Sequence, residues 1–426
     1  MIFPEKYTLA EVCLKAQSKY KKKTCFQTYR DGGICNRYSY LEFGRRVISF
    51  ASMLRRLGIK RGDRVMIAAE NRPEWPVAYF GTALAGGISV PVQTSFNHEQ
   101  ILSIAKHTEI SALCHTALTA SKISGIDSSI PKIQIDAEQN YGTSLDAKDF
   151  EEAGEDDPAS IIYTPGSTGS SKGVVLSHRN LVFIAASSGS LMKIYPRDRF
   201  LSVISLAHIY ECSLGMLAPV MSGASVTYLD KPPSPGFLLP AMRSLRPTAI
   251  ITVPVFMEKI CREKIFPALK KNGFYKFSIT RRLTVRVAGA KLLSAMGSSI
   301  RLFGIGGAPL SEDVESFLRE AGFPYASGYG LTETAPLVSG AAPYEFPVNS
   351  SGKALKGTEL RISDEGEIQV RGPHVMLGYY RDKKKTSGAF TGDGWFKTGD
   401  LGRLDDKNNL YIHGRMKAPN LQTGQN

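Results

Sequence analysis

Between about residue 40 and residue 340 the apolar positions switch repeatedly between a spacing that suits an amphipathic helix and short runs that suit a buried strand. Residues 40–57 read as a helix, 64–69 (Arg-Val-Met-Ile-Ala-Ala) as a strand, 74–85 as a helix and 88–92 as a strand. Residues 249–253 and 300–305 repeat the buried-strand signature, the first closed by Pro254 and the second by Gly306-Gly307. This alternation predicts α/β layers around mostly parallel sheets. After Pro336 the texture changes to short strands at 360–363, 367–371, 395–398 and 410–413, separated by Gly, Asp and Asn turns, which predicts a small β-barrel-like lobe.

At 426 residues and 42% hydrophobic, the chain is long enough for more than one compact unit. The charge-free runs 75–98 and 212–229 are interrupted by Gly, Pro, Ser or Thr, so they read as buried helix and strand and not as membrane spans. The N-terminus has no basic-then-apolar leader and the six cysteines show no C-x-x-C spacing, which predicts a reducing, cytoplasmic setting. The seven histidines are scattered, so any metal is expected to arrive with a nucleotide. A formal charge of +14 would draw nucleotides, CoA, nucleic acid or anionic lipid, and sign alone does not choose among them. The densest basic run, residues 259–291, is interleaved with Phe266, Phe274, Tyr275 and Phe277. It reads either as a solvated face over core aromatics or as a patch for peripheral membrane contact.

The chemistry concentrates first at residues 163–178, Tyr-Thr-Pro-Gly-Ser-Thr-Gly-Ser-Ser-Lys-Gly-Val-Val-Leu-Ser-His. Gly166, Gly169 and Gly173 let successive N–H groups turn inward, Thr164, Ser167, Thr168 and Ser170 add hydroxyls, and Lys172 adds a positive charge. A flexible surface turn is the alternative, but the apolar runs 159–163 and 173–176 pin the loop at both ends. A Walker-type loop is disfavoured because Lys172 leads into a strand and not a helix.

This loop resembles the phosphate-binding motif of the adenylate-forming superfamily, the acyl-CoA synthetases, peptide-synthetase adenylation domains and luciferases. Three positions depart from the usual pattern: Pro165, Ser167 and Ser171. Pro165 removes a backbone donor and the missing proline at Ser171 loosens the turn, which implies weaker ATP affinity than the family norm. Gly328-Tyr-Gly-Leu-Thr-Glu-Thr-Ala-Pro336 resembles a second family segment. It implies Tyr329 stacked on adenine, Thr332 bonded to the α-phosphate and Glu333 holding Mg²⁺. The segment from Gly306 through Gly307 and Ala308 to Pro309 resembles the backbone lining of the adenine pocket. Gly394-Trp-Phe-Lys-Thr-Gly-Asp400 implies that Asp400 accepts both ribose hydroxyls, and Ile412-His-Gly-Arg-Met-Lys417 implies Arg415 at the ribose or phosphate.

Leu206-Ala-His-Ile-Tyr-Glu211 and residues 253–260 are similar to long-chain fatty acyl-CoA synthetases, which puts His208 at the carboxylate end of an acyl site; a satisfied core histidine is the alternative. The resemblance spans residues 8–417. It implies an adenylate-forming N-terminal domain over 1–414, two α/β layered subdomains plus the small lobe, with 415–426 a hinge remnant and the family's small C-terminal domain absent. The implied catalytic set is Lys172, Thr332, Glu333 and His208, with ATP, Mg²⁺ and CoA as cofactor and co-substrates. The implied partners are small molecules and not nucleic acid. The expected reaction joins a fatty acid to ATP as acyl-AMP and then to CoA. Two other readings stand beside it, an aryl- or amino-acid-adenylating relative and a non-catalytic nucleotide or acyl binder.

Overall fold

A computed structural model describes residues 1–137, 146–151, 153–164, 172–272, 275 and 278–416. Tyr40–Arg56 is helical because Phe43, Val47, Phe50 and Leu54 form one buried stripe, because Ser39 caps its start by accepting from the Glu42 amide at 3.1 Å, and because Arg55 and Arg56 suit its C-terminal dipole. The strand Arg64–Ala68 shows the other period: Val65 and Ile67 enter the central core while Met66 and Ala68 enter a separate outer one.

The larger sheet has nine strands in the spatial order Lys353–Ala354, Ser339–Ala341, Tyr325–Tyr329, Leu302–Ile305, Ala249–Thr252, Arg199–Ser202, Ser225–Leu229, Thr24–Arg30 and Gly33–Ser39. Six consecutive strands, from Tyr325–Tyr329 to Thr24–Arg30, are parallel. The second sheet has seven, in the order Gly378–Tyr379, Lys172–Ser177, Pro158–Thr164, Ile88–Pro91, Arg64–Ala68, Ala112–His115 and Lys132–Gln134, of which the last five are parallel. One core joins both sheets through the helices Leu9–Tyr20, Tyr40–Arg56, Glu74–Leu84 and His178–Leu191 packed between them. Further helices cover each outer face. The expected α/β architecture around largely parallel sheets is therefore present. The lobe expected to be barrel-like is a four-stranded antiparallel sheet, ordered Glu359–Ile362, Glu367–Arg371, Phe396–Leu404 and Leu410–Arg415. Four strands are too few to close around a filled interior.

At the N-terminal ends of the large sheet's strands, buried Asp198 joins four of them. Its carboxylate accepts from Arg301 and from the Thr248 hydroxyl at 2.9 Å, and its carbonyl accepts from the Ser225 amide at 3.0 Å. Burial would raise the Asp198 pKa, but Arg301, the Tyr195 amide and Thr248 outweigh it and hold the carboxyl below its ordinary range. Glu211 shows the opposite balance. It opens a π-helical turn, Glu211–Leu217, in the central core, and one of its carboxyl oxygens lacks a hydrogen-bond partner among the described residues. Burial pushes its pKa up to about 8, with Ser202 opposing.

A carboxyl whose pKa is raised by folding stabilises the native state below its unfolded value and loses that contribution as pH climbs. Stability should therefore fall between about pH 4.5 and 8 through Glu211. Glu211→Gln should flatten that slope in urea midpoints measured across the range, and an unchanged slope would remove Glu211 as its source.

Candidate active site

In both sheets the parallel strands end on the side where the polar loops gather, the usual position for ligands in an open α/β sheet. The strand Pro158–Thr164 ends at Thr164, which pairs in antiparallel register with Lys172, so both ends of the glycine-rich loop are held side by side. Gly166, Ser167, Thr168 and Gly169 lie outside the described residues. The two-residue strand Gly378–Tyr379 adds to Lys172–Ser177 and brings the Tyr379 ring 5.3 Å from the Lys172 ammonium. The Tyr379 hydroxyl donates to Glu333 at 2.8 Å. Lys172, Tyr379 and Glu333 thus form one chain of contacts.

Glu333 sits in a single 3₁₀ turn, Thr332–Thr334, where the Thr334 hydroxyl accepts from the Leu331 amide at 2.9 Å. Gly330 is required just before it, since a Cβ there would collide with the Pro336 carbonyl. Thr332 lies in the same turn, half-buried beside Glu333. The Tyr329 hydroxyl donates to one oxygen of buried Asp400 at 2.7 Å, and Arg415 donates to the other at 3.0 Å. Burial raises the Tyr329 pKa and the Asp400 carboxylate adds to it; burial and Glu333 do the same to Tyr379. Arg415 pulls both phenols back, so its charge reaches both halves of the cluster. Beside Lys172 opens a polar cavity of about 610 Å³ lined by His107, Tyr163, Tyr379, Arg381 and Lys385.

His208 follows the strand Arg199–Ser202, and its Nδ1 accepts from the Tyr210 amide at 3.2 Å. Burial lowers its pKa. With Nδ1 an acceptor, the neutral ring carries its proton on Nε2. The Tyr210 ring lies against Gly304 and Gly306, so closely that a Cβ on either would stand 3.0 to 3.1 Å from it. That contact joins the His208 segment to the turn of Gly306, Gly307 and Ala308, where Gly307 has φ +83°. The Ser213 hydroxyl, bonded to the Ala335 carbonyl at 2.9 Å, ties the same segment to the turn of Glu333. An apolar cavity of about 80 Å³ lies here, bounded by Leu191, Phe200, Tyr210, Leu214, Leu302 and Gly328.

Lys172, Tyr329, Glu333, Asp400 and Arg415 are thus linked by contacts or charge, while His208 makes no hydrogen bond to Lys172 or Glu333 among the described residues and is connected only through Tyr210 and Ser213. Sequence reasoning missed Tyr379, whose strand is too short to show a period. It also missed Asn71, which clamps the His208 loop by donating to Ser202 at 2.9 Å and accepting from the Leu206 amide at 2.8 Å. The available signal was its place just past a predicted parallel strand.

Residues 14–380 match the profile of the AMP-binding enzyme family. The long-chain-fatty-acid–CoA ligase FadD15 of Mycobacterium bovis is 31% identical, over 85% of this chain and 66% of its own length. 4-Coumarate–CoA ligase 2 of Solanum tuberosum is 26% identical over 97% of this chain and 76% of its own. The ATP-bound crystal structure of MatB from Rhodopseudomonas palustris superposes with a TM-score of 0.79 at 26% identity, covering 95% of this chain and 78% of MatB. The chain thus spans about two thirds of the length of FadD15 and rather more of the other two. With that match over most of its length, and with Lys172, Tyr379 and Glu333 in one chain of contacts and Tyr329, Asp400 and Arg415 in another, the chain belongs to the AMP-binding enzyme family.

Proposed function

We propose that this chain is the nucleotide- and acid-binding domain of an ATP-dependent fatty acid:CoA ligase. The carrying observation is that the Lys172–Tyr379–Glu333 and Tyr329–Asp400–Arg415 contacts stand next to an apolar cavity whose wall, Tyr210, belongs to the His208 segment. The similarity to FadD15 supports the fatty substrate. In this reading the acid's carboxylate oxygen bonds to the α-phosphorus while the bond to the β-phosphate oxygen breaks, and pyrophosphate leaves with the electron pair. The thiol of CoA then displaces AMP from the acyl carbon. No side-chain nucleophile is required, so the residues act by position and charge.

Lys172 and the glycine-rich loop hold the departing phosphates, Thr332 bonds the α-phosphate, and Tyr329 and Asp400 hold adenine and ribose. Glu333 keeps one carboxylate oxygen beyond its bond from Tyr379, a donor suited to Mg²⁺ bound mainly by phosphates and water. That ion would neutralise phosphate charge. In this reading His208, whose Nδ1 accepts from the Tyr210 amide and whose pKa is lowered by burial, orients the acid's carboxylate through Nε2–H.

A second reading, an aryl-acid ligase, is favoured by the cavity's size. At about 80 Å³ it is well under the roughly 300 Å³ at which drug-sized pockets begin, so a long acyl chain has to open it further. Pyrophosphate exchange with a long-chain fatty acid, an aryl propenoate, acetate and an amino acid separates the readings. The fatty acid should be preferred, since each buried methylene contributes about 0.8 kcal/mol. Preference for the aryl acid would transfer the assignment to the second reading.

Asp400→Ala should weaken ATP binding by about 1.5 to 3 kcal/mol in calorimetry, the range for hydrogen bonds to a charged group. Unchanged affinity would remove Asp400 from the ribose site. Tyr379→Phe keeps the ring beside Lys172 but loses the bond to Glu333. It should slow adenylate formation by about tenfold, and an unaltered rate would show that Glu333 needs no such support.

A further inference from the structure

The helix Ser278–Ala295 has two apolar faces where a surface helix has one. Val285, Gly289 and Leu292 face inward, and Gly289 has to be glycine because a Cβ would stand 2.5 Å from the Ala321 carbonyl oxygen. Leu283 and Val287, one turn apart, face outward and are 66% and 46% exposed, too much for core positions. Val255, on the helix Pro254–Ile260 of the same outer layer, is 65% exposed.

The charge along these segments is one-sided, although the neighbouring helix Glu312–Glu320 carries four acids. From residue 254 to residue 295 the sequence carries ten Lys/Arg and two Asp/Glu, a net +8 within a chain of +14. The helix itself contains Arg281, Arg282, Arg286 and Lys291 and no acid. Arg281 reaches Glu320 at 3.7 Å and Arg262 reaches Asp313 at 3.4 Å, but Lys264, Lys270, Lys271, Arg282, Arg286 and Lys291 make no ion pair among the described residues. This layer covers the outer face of the nine-stranded sheet, sharing a core with Leu201, Ile250 and Phe303, whereas the apolar cavity opens on Phe200, of the inner core. Leu283, Val287 and the arginines beside them therefore lie in a different layer from the apolar cavity, whereas Val255 is two residues from Val253, which a Cβ on Gly307 would meet at 3.8 Å.

We propose that this face docks on an anionic lipid bilayer, with Leu283, Val287 and Val255 entering the headgroup boundary and Arg282, Arg286, Lys291 and the lysines of 264–271 meeting lipid phosphates. Each half of the pattern limits the partner. Unpaired cations select an anionic surface, and apolar side chains standing among them fit acyl chains and not the hydrated phosphate backbone of a nucleic acid. The basic residues have long stems that can lie along the interface while their charges stay in water.

The test is flotation of the 426-residue chain with phosphatidylglycerol/phosphatidylcholine vesicles and with pure phosphatidylcholine vesicles. Each is run at about 0.1 M and about 1 M salt, between which the screening length falls from about 10 to about 3 Å. Partition into the anionic vesicles should exceed that into neutral ones by about tenfold or more at low salt and largely disappear at high salt. Arg282→Glu with Arg286→Glu should reduce it by about tenfold. Leu283→Gln with Val287→Gln should reduce it several-fold while leaving its salt dependence in place. Both pairs should keep the parent affinity for ATP, which separates loss of docking from loss of fold or of the nucleotide site. Equal partition into neutral and anionic vesicles, no partition into either, or binding unaffected by both pairs would overturn the proposal. So would tighter retention by duplex RNA than by anionic vesicles with Leu283→Gln and Val287→Gln without effect, which would reassign the face to nucleic acid.

Discussion

A parallel strand carries an apolar side chain to each face of its sheet, so both faces have to be covered. That constraint organises this molecule. Val65 and Ile67 point one way from their strand and Met66 and Ala68 the other, and each pair has its own core. Two sheets sharing one layer of helices satisfy the requirement with three helix layers where two separate sandwiches would need four. Tyr379 joins Lys172 of one sheet to the Glu333 segment that follows a strand of the other. Loops at the carboxyl ends of the strands are left to gather polar groups, while the opposite ends are closed by Asp198, Arg301 and Thr248.

Within that frame the candidate site is shaped by close backbone approach. Gly330 admits the Pro336 carbonyl, and Gly304 and Gly306 admit the Tyr210 ring. A side chain at any of these positions would push apart segments that carry Glu333, His208 and the apolar cavity. Charge is handled with similar economy. Both oxygens of Asp400 are engaged, by Tyr329 and Arg415, whereas among the described residues the Glu333 carboxylate is held by a single phenol. The first arrangement gives a fixed acceptor and the second leaves one carboxylate oxygen without a hydrogen bond among the described residues.

Much of this was legible in the chain. The expected helix 40–57 is Tyr40–Arg56, the expected strand 64–69 is Arg64–Ala68, and residues 367–371 form a strand as read. Those elements follow from local spacing, which a 3.6-residue or two-residue period expresses directly. That Lys172, Tyr329, Glu333 and Asp400 would matter was suggested on another ground: each sits among glycines or hydroxyls in a segment that resembles the family, and the structure links them by contacts. Tyr379 and Asn71 carry no such mark, because their importance comes from what packs against them.

The sequence by itself determined the alternation of elements, the layered α/β class and the residue types of the Lys172, Tyr329 and Asp400 segments, since these depend on neighbours within a few positions along the chain. Tertiary structure alone decided that Tyr379 bridges Lys172 and Glu333, that Tyr210 forms the wall between His208 and the Gly306 turn, and that Glu211 is buried with an oxygen unpartnered among the described residues. It also decided that Leu283 and Val287 face outward, although they share a helix with inward-facing Val285 and Leu292. Each of these is a contact or an exposure created by segments distant in sequence. No periodicity within one segment encodes it, because its free energy depends on atoms that the segment does not contain.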